Sequence, residues 1–146
     1  MGDLTKNFSR AEFACKCGEC ESREVSPTLA RGLQSMRDRA GVKIIVNSGY
    51  RCPKHNAAEG GAKNSQHVLG NAADVVVEGL SVLEMYELAL GVDAFRNGGI
   101  GVYPRHGNFI HVDVRGKFAR WEGHGNGGSG RFKTWLKRSA EPLRDS

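Results

Sequence analysis

Apolar positions along the chain recur with two different periods. Leu29, Leu33, Met36 and Ala40 fall at helical spacing behind Ser26-Pro27, a capping serine with proline in the first turn, and Gly41 closes the segment. Two capping signatures, Ser9 with Glu12 and Ser81 with Glu84, open further helices. The first is short, with apolar Phe8 just before it; the second runs to about Leu90. Pro53 to Glu59 predicts one or two helical turns, ended by Gly60-Gly61. Strand patterns occupy Val42–Asn47, mostly apolar and so expected in the interior, and Ala72–Val77, small and then β-branched. Gly98–Tyr103 and Phe109–Val114 read as a hairpin joined through Pro104 to Asn108. Gly123–Gly130 reads as a flexible link, and Phe132, Trp135 and Leu136 give the tail enough for a short docked helix. The fold class is therefore α+β, a small and mainly antiparallel sheet with helices packed on one side.

A length of 146 residues suits one domain. Residues 1–122 form its body with a cysteine-containing N-terminal arm, and residues 123–146 add the glycine-rich link and short basic helix. The net charge of +5 favours polyanionic surroundings: nucleic acid, an anionic membrane or an anionic cell wall. Nucleic acid loses ground because neither a recognition helix nor a repeated aromatic-basic pattern is present. No apolar run approaches the ~18 residues of a transmembrane helix, and the first residues, Met-Gly-Asp-Leu-Thr-Lys-Asn, lack the apolar core of a secretory signal.

Three of the four cysteines cluster in Cys15-Lys-Cys17-Gly-Glu-Cys20, and the fourth is Cys52. Two structural readings stand level. One is a metal clip holding a structural zinc; the other is one or two disulfides tying the N-terminal arm to the segment near Cys52.

The stretch Ser65-Gln-His-Val-Leu-Gly-Asn-Ala-Ala-Asp74 puts a histidine before a turn and a carboxylate in the following strand, with little bulk between. They could converge on a metal ion or share an ordinary hydrogen bond. In Phe109–Val114, strand alternation puts His111 and Asp113 on one side and Ile110, Val112 and Val114 on the other, which is the core side. His67, Asp74 and His111 then offer two imidazoles and a carboxylate, the donor set of a catalytic zinc with its fourth position open.

These residues sit in an ordered series: Ser48-Gly-Tyr-Arg51-Cys-Pro-Lys-His55-Asn56, Gly60-Gly61, Ser65-x-His67-x-x-Gly70-x-Ala72-x-Asp74, Gly101-x-Tyr103 and Phe109-x-His111-x-Asp113. The series resembles the zinc D-Ala-D-Ala carboxypeptidase family, in the group that includes lysostaphin-like peptidases and the hedgehog domain, over roughly Phe8 to Arg115. The resemblance implies one catalytic zinc on His67, Asp74 and His111 and a peptide substrate from bacterial peptidoglycan. It further implies a substrate or oxyanion role for Arg51; the alternative is an ion pair holding the loop before Pro53. His55 and Asn56 are expected to line the cleft or brace its loop. Ser65 is expected to contact substrate or an Asp74 oxygen, and Tyr103 to bring a hydroxyl to the cleft edge.

Many relatives carry an acid three before the last zinc histidine, or a histidine two before it; here Asn108 and Phe109 stand there. Asp113 is the natural replacement as general base, ahead of a role in orienting a ligand histidine. Glu59 and Glu122 are the reserves, and Trp121 and Trp135 are read as core or docking residues.

The expected function is hydrolysis of a peptide bond in peptidoglycan stem peptides or cross-links, by a monomer. The runner-up is a non-catalytic zinc-containing cell-wall-binding module. The expected setting is a chain made without a signal peptide that acts on the wall, as a phage lytic enzyme released from the host cytoplasm or carried on the virion does.

Overall fold

The computed structural model describes residues 2–17, 25–59, 65–105, 107–124 and 127–140. Cys20, Gly60, Gly61 and His106 therefore lie outside the described residues. In chain order a 3₁₀ turn at Arg10–Phe13 is followed by α1 (Pro27–Ala40), β1 (Ile44–Ser48), α2 (Pro53–Ala58), β2 (Ala72–Val77) and α3 (Val82–Leu90). Then come α4 (Asp93–Arg96), β3 (Gly99–Tyr103), β4 (Phe109–Asp113), β5 (Ala119–Glu122) and α5 (Gly128–Ala140). No helix among the described residues is long and apolar enough to cross a membrane.

Local chemistry accounts for the helix ends. Ser26 Oγ accepts from the Leu29 N–H, Pro27 stands in the first turn, and Gly41 ends α1 in the left-handed region at φ 69°. Both expected capping boxes form, Ser9 with Glu12 and Ser81 with Glu84.

The five strands lie in the order β1-β2-β4-β3-β5. Every pairing is antiparallel except β3 with β5, which is parallel. Helices α1, α3 and α4 cover one face of the sheet. There Leu29, Leu33 and Met36 meet Ala73, Val75, Val77, Ile100, Val102, Ile110 and Val112, all buried in one cluster. Helix α5 runs along β5 and reaches α3 through an edge-to-face contact of Phe132 with Tyr86, ring centroids 5.4 Å apart.

Several details differ from the sequence reading. β1 is an edge strand rather than an interior one, and Ile45 points to solvent at 43% exposure. Its apolar run reflects one buried face, Ile44 and Val46, plus one exposed isoleucine. α5 begins inside the glycine run, at Gly128, where a Cβ would lie 2.9 Å from Trp121 Cβ. α4 and β5 have no counterpart in the sequence reading.

The other face of the sheet is built on one row of cross-strand neighbours: Asp74 opposite His111, His111 opposite Gly101, and Gly101 opposite Trp121. Side chains in register share a face, so this row concentrates chemistry on the side away from the helices. Gly101 has to be bare. A Cβ there would lie 2.4 Å from Trp121 Nε1, whose indole covers the position.

Candidate metal centre

β2 and β4 supply two of the expected donors, and the turn after Ser65 supplies the third. Asp74 Oδ1 lies 3.1 Å from His111 Nδ1 and 3.2 Å from His67 Nε2. The two imidazoles meet edge to face with centroids 5.1 Å apart. His67, Asp74 and His111 are all buried, and their donor atoms lie within 4.8 Å of one another.

The outward nitrogens are held as well. His67 Nδ1 lies 2.7 Å from the Gly49 carbonyl, so it carries the proton there and leaves Nε2 a lone pair. His111 Nε2 lies 2.7 Å from Asp113 Oδ2, which by the same logic frees Nδ1. Metal-bound histidines characteristically have their second nitrogen held by a carbonyl or carboxylate. Two imidazole nitrogens and a carboxylate oxygen, each pre-oriented, fit one divalent metal ion of the kind that imidazole favours.

The charges are mutually dependent. Burial alone would raise the Asp74 carboxyl, but when protons rather than a metal sit on the inner nitrogens of His111 and His67, their hydrogen bonds outweigh it and hold the group well below the usual carboxylate range. Burial would lower His111, yet its bonds to Asp113 and Asp74 raise it above an ordinary imidazole.

Asp113 lies on the far side of the His111 ring from Asp74. It is fully buried, and its carboxylate accepts from the Gly99 and Arg115 backbone N–H groups, from the Arg115 guanidinium and from His111. Burial works to raise its carboxyl, and the His111 and Arg115 bonds override this and lower it. It holds the nitrogen of His111 that points away from Asp74. The reserve candidates stand elsewhere too. Glu122 is buried on the opposite face of β5 and pairs with Arg131 of α5 at 3.2 Å. Glu59 is exposed and lies 3.4 Å from His55 along α2.

Arg51 reaches the centre through Nη2, 3.1 Å from Asp74 Oδ2, while its Nε donates to Ser48 Oγ and Nη1 to Asn56 Oδ1. The ion pair foreseen for it thus exists, and its partner is the carboxylate of the metal site. Asn56 is buried and braces the guanidinium. His55 bonds to Glu59, not to a donor atom of the centre. Ser65 accepts from the His67 N–H at 3.2 Å, shaping the turn rather than touching Asp74.

Trp121 is more than a docking residue. Its Nε1 donates to Tyr103 Oη at 2.9 Å, its ring lies 5.0 Å from that of His111, and the Arg115 guanidinium sits over it. Tyr103 in turn stacks on Phe109 with centroids 4.4 Å apart and stands 4.8 Å from His124. Burial, opposed by the Trp121 bond, raises the Tyr103 phenol, so it stays protonated. The signal for Trp121 was Gly101: a bare position on the donor-bearing face leaves space for a large neighbour.

Of the cysteines, Cys15, Cys17 and Cys52 come together.

Residues 6–113 match the family model described as peptidase M15. The chain belongs to the peptidase M15 family. It is 34% identical over 108 residues to the probable peptidoglycan L,D-endopeptidase MepK of Haemophilus influenzae, covering 68% of this chain and 55% of that protein. The peptidoglycan L,D-endopeptidase MepK of Escherichia coli K12 is 33% identical over 99 residues, 63% of this chain and 52% of its own. The zinc D-Ala-D-Ala carboxypeptidase of Streptomyces albus G is 33% identical over 115 residues, 73% and 45%. The chain spans about half the length of the curated relatives it matches. The family match contains all three donors of the centre.

Proposed function

We propose that this chain is a zinc-dependent peptidase that hydrolyses a peptide bond in the stem peptides or cross-links of bacterial peptidoglycan. The observation that carries the reading is the convergence of His67 Nε2, Asp74 Oδ1 and His111 Nδ1, each held from behind, in a chain of the peptidase M15 family. The relatives named for peptidoglycan endopeptidase and zinc D-Ala-D-Ala carboxypeptidase activity support the metal and the substrate class. A net charge of +5 suits an anionic wall polymer, and one chain supplies every donor, so a monomer suffices.

Zinc held there supplies Lewis acidity to a scissile carbonyl and to the attacking water. The protein's own groups prepare that chemistry. Gly49 and Asp113 fix the tautomers of the two histidines. Arg51 engages Oδ2 of Asp74, which would leave Oδ1 to the metal, and keeps a fixed cation beside the site for a substrate carbonyl or carboxylate. Protonated Tyr103, with Trp121 and Phe109, forms an aromatic wall with one hydroxyl for the substrate backbone. In this reading Asp113 orients His111 and is not the base.

The test is incubation of zinc-loaded protein with purified peptidoglycan, with the soluble products weighed by mass spectrometry and the His111→Ala variant as control. Release of peptides by the native chain alone is expected, and their masses identify the bond cut. Full zinc occupancy without release would instead favour the wall-binding module.

A further inference from the structure

Cys15, Cys17 and Cys52 form the second group of metal-ligating side chains among the described residues, with all three sulfurs within 4.8 Å of one another. Cys17 Sγ and Cys52 Sγ are 3.8 Å apart. A disulfide requires ~2.05 Å. Two thiolates on one tetrahedral zinc, each at ~2.3 Å, stand roughly 3.8 Å apart, which is the edge of that tetrahedron. Backbone N–H groups already point at two of the sulfurs: Cys52 N–H at Cys15 Sγ, 3.3 Å, and His55 N–H at Cys52 Sγ, 3.4 Å. Such bonds spread the charge of metal-bound thiolates. Cys15 and Cys52 are buried and Cys17 is half-buried, so the cluster is closed on the protein side.

Its position gives it a purpose. Each residue of the loop 49–52 has its own tie. The Gly49 carbonyl holds His67 Nδ1, and a Cβ at Gly49 would lie 2.6 Å from Phe13 Cα. The Tyr50 N–H donates to the Phe13 carbonyl at 2.8 Å. The Arg51 N–H donates to the His67 carbonyl, and its guanidinium reaches Asp74. Cys52 enters the sulfur cluster. The loop that orients one metal donor and engages another therefore lies directly on the N-terminal arm.

We propose that Cys15, Cys17 and Cys52 bind a second, structural ion of the thiolate-seeking class, zinc in the cell, which clamps the N-terminal arm onto the loop carrying Arg51. Three sulfur donors select zinc or cadmium over magnesium or calcium. Each thiol gives up its proton as the metal binds.

Cadmium is the probe, because its bonds to thiolate absorb in the ultraviolet. The full chain, reduced and stripped of metal, should take up two equivalents, one of them with the sulfur charge-transfer band. The His67→Ala/His111→Ala double variant should bind one equivalent and keep the band. Cys17→Ser, altered at the half-buried ligand and checked for folding by circular dichroism, should bind one equivalent and lose the band. A folded double variant without the band overturns the proposal. So does a Cys52 disulfide in peptides from protein purified without reductant. Should Cys17→Ser fail to fold, the double variant alone decides. The readout is metal–sulfur absorbance, so its failure stays distinct from a failure of peptidoglycan turnover.

Discussion

His111 and Asp113, two residues apart on β4, are joined by a 2.7 Å bond between Nε2 and Oδ2, while the opposite ring nitrogen faces Asp74 at 3.1 Å. In the proposed reading Asp113 therefore acts on the centre through the imidazole. Asp113→Asn weakens that bond and strips Arg115 of its ion partner. Zinc affinity should fall on the order of 10–100-fold, with turnover recovered when zinc is added in excess. Competition with a chromophoric chelator gives the first quantity, and peptide release at saturating zinc the second. A ~10²–10⁴-fold loss of kcat with the metal site full would return Asp113 to the role of base.

Metal removal should act on stability as well as activity. An ion that binds only the folded chain stabilises it by RT ln(1 + [L]/Kd), about 4 kcal/mol at a thousand times Kd. Chelation should abolish peptide release and lower the midpoint of thermal unfolding. In His67→Ala/His111→Ala the part of that shift due to the His–Asp–His centre should vanish, as paired melts with and without chelator would reveal.

Gly101→Ala tests the row across the sheet. The added Cβ would meet Trp121 Nε1 at 2.4 Å and Cε2 at 2.5 Å, so the strand or the indole must shift. Overpacking of this kind costs about 1–3 kcal/mol, readable as a lower urea midpoint at unchanged m-value. The displaced indole also gives up its bond to Tyr103 and its place beside His111. KM for peptidoglycan peptides should rise while zinc content stays full. Unchanged KM would remove Trp121 from the substrate wall.

The convergence of His67, Asp74 and His111 was legible in the sequence because each lies in a short segment with its own rule. Alternation in β4 fixes the face of His111, and the small residues between His67 and Asp74 allow the turn to fold back. What alternation could not convey was which nitrogen of His111 faces Asp74. A shared face put Asp113 near the centre, but only the Gly99 and Arg115 contacts reveal that it sits behind the ring. β5 escaped notice because Ala119-Arg120-Trp121-Glu122 has no apolar alternation: its buried face carries Arg120 and Glu122, held by the Gly98 and Arg96 carbonyls and by Arg131. β1 was misplaced for the converse reason, since a run of apolar residues does not disclose that Ile45 faces solvent.

Arg51 carries the last prediction, because its guanidinium serves two possible masters. One is Asp74, engaged through Nη2 at 3.1 Å; the other is a substrate oxygen arriving beside it. Arg51→Lys separates them. Lysine keeps the charge but is a compact point donor and cannot hold Ser48, Asn56 and Asp74 together in the planar fork that arginine uses. If the guanidinium aids the reacting carbonyl, kcat/KM should drop about 10²–10³-fold, as when one oxyanion donor is lost, with zinc content unchanged. Were its only task to steady Asp74, zinc affinity would fall and excess zinc would restore turnover. Zinc content and steady-state kinetics measured on the same preparation tell these apart, and the expected result is the first. Near-native kcat/KM with a full site would leave Arg51 no part in the chemistry.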